Sequence, residues 1–92
     1  MHMNELTIVH AEMRREEDGS YIGKTVFEVS SHKAGYEITF FSQKGKDWDY
    51  SLHYAGEPGI EEQFLAVDAR IEEDDEWFDA LLDAALDTLP ED

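Results

Sequence analysis

Trp48-Asp49-Tyr50-Ser51-Leu52-His53-Tyr54 alternates large apolar with polar residues, and Gly56-Glu57-Pro58-Gly59 then breaks the chain. In an extended chain successive side chains point to opposite faces. Trp48, Tyr50, Leu52 and Tyr54 therefore line one face, and Asp49, Ser51 and His53 the other. This is the cleanest strand in the sequence. Its apolar face needs a cover, and the chain beyond the break must supply one.

Upstream, three further runs read as strands. Leu6-Thr7-Ile8-Val9 opens the first, which extends to Arg14-Arg15-Glu16. A helix starting behind an Asn4 cap is the rival reading there, but the β-branched cluster favours a strand. Glu17-Asp18-Gly19-Ser20 is a turn signal, because glycine tolerates positive φ. Tyr21 to Val29 is the second run, making a hairpin with the first. Tyr36-Glu37-Ile38-Thr39-Phe40-Phe41 is the third, with Tyr36, Ile38 and Phe40 on one face. The short connections favour an antiparallel meander. Ile22 and Phe41 fall on the opposite faces of their strands. They suggest a second, partly apolar surface, such as a homodimer contact.

Downstream, residues 60–71 fit two patterns. Ile60, Phe64, Val67 and Ile71 recur at helical spacing, while Leu65, Val67, Ala69 and Ile71 alternate as a fifth strand would. Helix propensity of the Glu, Gln, Leu, Ala and Arg residues favours the helix. Residues 75–89 are expected to be helical. Asp74 or Asp75 can cap them, Pro90 ends them, and Trp77, Phe78, Leu81, Leu82, Ala85, Leu86 and Leu89 share half the wheel. The expected fold is α+β: a four- or five-stranded antiparallel meander with one face covered by a C-terminal helix or helix pair. Ninety-two residues make one domain. Residues 1–3 are expected to be disordered or carried over from cloning, and residues 90–92 frayed.

Charge narrows the function classes. The chain has 23 acidic and 7 basic residues, a net charge of −16. Such a molecule repels phosphate backbones and anionic membrane surfaces, so neither direct nucleic-acid binding nor membrane binding is expected. No apolar run reaches membrane-spanning length. The acid is also localised. Glu57–Asp92 holds 14 acids and one base, net −13, whereas Met1–Gly56 holds 9 acids and 6 bases, net −3. With no cysteine, thiolate chemistry, disulfides and cysteine-based metal sites are excluded, and a cytoplasmic setting is expected.

No residue pattern announces catalysis. The histidines have no metal-ligand spacing, the serines no nucleophile-elbow context, and no glycine-rich phosphate loop is present. Asp47-Xaa-Asp49-Xaa-Ser51 imitates the start of an EF-hand loop, but Leu52 stands where glycine is required and Pro58 where the bidentate Glu belongs. No enzyme activity, metal or cofactor is expected. The strongest candidate is the polar half of the last helix. Glu76, Asp79, Asp83 and Asp87 fall within an arc of about 80° on the wheel, with steps of about 6 Å between Asp79, Asp83 and Asp87. Like charges at i,i+4 cost a helix about 0.2–0.5 kcal/mol per pair. Glu72 and Glu73 extend the acidic run upstream. These six residues are the candidate docking face for a basic protein, such as one that otherwise grips nucleic acid. The alternatives are a housekeeping structural domain whose acidity serves solubility, and a small-ligand domain or enzyme with a pocket between sheet and helices.

Overall fold

The computed structural model describes residues 6–89. The expectations for residues 1–3 and 90–92, and the Asn4 cap, fall outside them. The order is β1 (Leu6–Arg15), β2 (Tyr21–Val29), β3 (Tyr36–Ser42), β4 (Asp49–Tyr54), α1 (Glu61–Glu73) and α2 (Asp75–Leu86). The four strands form one antiparallel sheet in sequence order, the expected meander. The β1–β2 turn closes through Gly19 at φ 91°, with the Glu16 N–H donating to the Ser20 carbonyl. Asp18 accepts from both the N–H and the hydroxyl of Ser20. These bonds hold the Asp18 carboxyl below its usual range.

Residues 60–71 are helical, not a fifth strand. Val67 and Ile71 are buried and Phe64 is half-buried, whereas Leu65 is 56% exposed and Ala69 is exposed too. A strand burying one face would have needed Leu65 and Ala69 inside. Ile60, expected on the buried side, stands at the N-cap and is exposed. α2 is shorter than expected. It ends at Leu86, and residues 87–89 continue in tighter i,i+3 turns, with Thr88 N–H to the Ala85 carbonyl and Leu89 N–H to the Leu86 carbonyl.

Both helices cover the same face of the sheet. α2 packs over β1 and β2, where the buried Thr25 hydroxyl donates to the Leu81 carbonyl at 2.8 Å. α1 reaches β3 and β4 through Phe64, whose ring lies 4.9 Å from Tyr54 and 6.2 Å from Tyr36. The Tyr50 hydroxyl donates to Asp68. The core between the layers contains Phe27, Tyr36, Ile38, Phe40, Val67, Ile71, Trp77, Leu81 and Ala85. Among the described residues, nothing covers the other face of the sheet, and no helix is long and apolar enough to cross a membrane.

Gly23 marks a close approach of β1 to β2. A Cβ there would lie 2.5 Å from the Glu12 carbonyl oxygen and 2.9 Å from the Met13 Cα. Backbone cannot yield as a side-chain end can. Gly23→Ala is therefore expected to cost about 1–3 kcal/mol by forcing the strands apart. A urea midpoint equal to wild type would refute that reading.

Candidate functional site

α2 owes its orientation to amphipathic spacing. Trp77, Leu81, Leu82 and Ala85 are buried, and Phe78 and Leu86 are half-buried. This anchoring leaves Glu76, Asp79, Asp83 and Asp87 on the outer side, and all four are exposed. Glu72 and Glu73 are exposed as well, but they belong to the last turn of α1. They adjoin the start of the α2 stripe across Asp74 and Asp75. Among the described residues, none of the six carboxylates forms an ion pair or a side-chain hydrogen bond.

The joint between the helices explains part of this. Asp74 caps α2, accepting from the Glu76 N–H at 3.0 Å. Its other oxygen accepts from Arg70 Nε at 2.9 Å. Arg70 also stacks its guanidinium 4.5 Å above the Trp77 ring. The one base of the C-terminal third is thus held against Asp74 and Trp77 rather than among the outer carboxylates. Sequence reasoning missed this cluster, although Arg70–Asp74 at i,i+4 and Trp77 one turn further were a usable signal. The Trp77 indole N–H is buried with no acceptor among the described residues.

The Arg70 hydrogen bond, helped by the Glu76 and Trp77 backbone N–H groups, holds the Asp74 carboxyl below its ordinary value of 3.8. A group whose pKa is lower folded than unfolded stabilises the fold above the unfolded value. That contribution is lost as pH falls through the folded value. Asp74→Asn keeps a capping side chain and removes the charge. Its urea midpoint should lie below that of wild type at pH 6, with the gap closing as pH falls below about 4. A gap that stays constant with pH would contradict this assignment.

The remaining stripe is electrostatically costly to the helix itself. Asp75 and Glu76 sit favourably in the first turn, but no base occupies the last turn and Asp87 stands at the C-cap. Like-charged neighbours repel along one side of α2, and among the described residues no cation is paired with them. What the arrangement can do chemically is present fixed negative charge to solvent along at least three helical turns.

The pocket readings fare differently. His10 and His53 lie exposed on the uncovered sheet face, away from the space between sheet and helices. Between sheet and helices, a depression of about 120 Å³ is lined by Val29, His32, Ala66, Val67, Arg70 and Trp77. Ligand sites ordinarily enclose about 300–1,000 Å³. Among the described residues, no three His, Asp or Glu side chains converge as metal ligands. Comparison with family models, characterised proteins and solved structures finds no match.

Proposed function

We propose that this protein is a non-catalytic interaction module that docks its acidic helix layer on a basic protein surface. The supporting observation is the exposed stripe Glu76, Asp79, Asp83 and Asp87 on α2, extended by Glu72 and Glu73, none of them in an ion pair among the described residues. Arg70, the only cation in that third of the chain, is engaged with Asp74 and Trp77. The partner chemistry is a cluster of Lys and Arg, such as that of a protein that otherwise grips nucleic acid. Fixed carboxylates raise the encounter rate with such a surface and exclude acidic competitors. The absence of cysteine fits a reducing compartment, and we place the module in the cytoplasm.

The test is retention of basic proteins on the immobilised chain across a salt gradient. Binding is expected at low ionic strength and should weaken as the Debye length shrinks from about 10 Å at 0.1 M to about 3 Å at 1 M. If no basic protein is retained at low salt, the carboxylates serve solubility alone.

A further inference from the structure

We propose that the uncovered sheet face is a self-association surface, on which two copies of this chain stack face to face about a two-fold axis parallel to the strands. The strand registers set one row of outward side chains across the sheet. Arg14 stands opposite Ile22, Ile22 opposite Phe41, and Phe41 opposite Asp49. Ile22 and Phe41 are each 41% exposed, and together they make an apolar centre on this face. Arg14, whose Nε also donates to Glu16 at 2.6 Å at the exposed end of β1, flanks that centre on one side, and Asp49 flanks it on the other.

This row is self-complementary under one symmetry operation. A two-fold axis lying between the sheets, parallel to the strands and midway between Ile22 and Phe41, exchanges left and right along the row. It sets Ile22 on Phe41 of the second copy, and Arg14 on Asp49 of the second copy, each contact occurring twice. An axis perpendicular to the strands would instead set Arg14 on Arg14 and Asp49 on Asp49. Charge thus selects the first axis. The pair also lies beside shallow depressions that both include Ile22. One of about 380 Å³ extends to Glu12 and Lys24, and one of about 190 Å³ extends to Asp49 and Ser51. They give a second copy's Phe41 room to settle.

Long-range charge favours the same face. Residues 57–92, which build the helix layer, carry net −13, against −3 for residues 1–56. Two copies approaching through their helices would oppose two acidic faces. Approach through the sheets turns both acidic faces outward, the helices lying on the far sides. Strands about 4.8 Å apart with a rise of about 3.3 Å per residue make the face only roughly 450 Å². That is small beside the ~800 Å² per partner of standard interfaces. The dimer therefore belongs to the weak, transient class of interface and forms only at high protein concentration.

The surface is distinct from the acidic docking face, so the two readings fail separately. The experiment is sedimentation equilibrium of the wild-type chain, Arg14→Asp, Asp49→Arg and the double reversal, at 0.15 M salt and up to 1 mM protein. Circular dichroism checks each fold. Wild type should dimerise with concentration. Each single reversal should weaken the dimer tenfold or more, because two contacts per dimer become repulsive. The double reversal should return to within threefold of wild type. Asp79→Lys/Asp83→Lys/Asp87→Lys should not weaken self-association, although it sharply weakens the proposed basic docking. A wild-type chain that stays monomeric to 1 mM overturns the proposal. Single reversals that dimerise normally overturn it too, as does a double reversal that fails to recover.

Discussion

Phe40→Ala is expected to lower the stability of the fold by about 3–5 kcal/mol, the usual cost of truncating a buried aromatic side chain. Phe40 is 1% exposed in β3. Its ring meets Phe78 of α2 edge-on at 5.7 Å and Trp48 edge-on at 6.4 Å. It therefore joins the sheet, the β3–β4 connection and the helix layer at one point, and no neighbour can fill the space without leaving its own contacts. A domain of this size has a total stability of about 5–14 kcal/mol. The loss would thus consume a large part of it. With a urea slope of about 1.5 kcal/mol per molar, the midpoint should fall by about 2–3 M. The neighbouring residue is the control. Phe41 points to the uncovered face opposite Ile22, and Phe41→Ala, measured at concentrations where the chain is monomeric, should cost only about 1 kcal/mol. If the two substitutions cost the same, the assignment of faces in β3 is wrong.

That contrast between adjacent residues was legible in the sequence, because Tyr36, Ile38 and Phe40 recur with period two and so place Phe41 on the other face. The opposite placement of Ile22 and Phe41 followed from the same rule. Residues 60–71 were harder for a physical reason. Val67 and Ile71 belong to both the helical and the extended pattern, so the fates of Phe64 on one side and of Leu65 and Ala69 on the other separate them. Their exposure depends on what α1 packs against, and that is tertiary information. Trp48 shows a similar limit. It continues the alternation of β4 but precedes the strand, and it packs from the connection against Tyr21 and Phe40. The acidic stripe was readable from the helical wheel alone. The hold of Arg70 on Asp74 and Trp77 was not read from it, nor was the bond from Tyr50 to Asp68. The first needs a one-residue joint between helices, and the second joins residues from separate layers.

Replacing Asp79, Asp83 and Asp87 together by lysine is expected to weaken docking on a basic partner sharply while leaving the fold intact. All three side chains are exposed, and the anchors of α2 are Trp77, Leu81, Leu82 and Ala85 on the opposite side. Their burial contributes on the order of 1.5–3 kcal/mol for each large side chain. Charge terms along the outer side amount to only about 0.2–0.5 kcal/mol per i,i+4 pair. The helix should therefore survive reversal. Three lysines repel one another as three aspartates do, so the stability question is cleaner in Asp83→Lys alone. That change makes an opposite-charge pair with both Asp79 and Asp87 and should stabilise α2 slightly. For binding, the triple variant changes the local charge by six units and sets cations against a basic surface. The association rate should fall by at least tenfold, since steering by complementary charge accounts for about 10–1,000-fold in such encounters. The rate of the variant should also lose the steep decline with salt that wild type shows. Stopped-flow association with a basic protein retained by the wild-type chain, at 0.05 M and 0.5 M salt, reads both effects. If the triple variant associates as fast and holds as tightly as wild type, the stripe is not the docking face. If it fails to fold by circular dichroism, Asp83→Lys carries the test, with a smaller expected loss of rate.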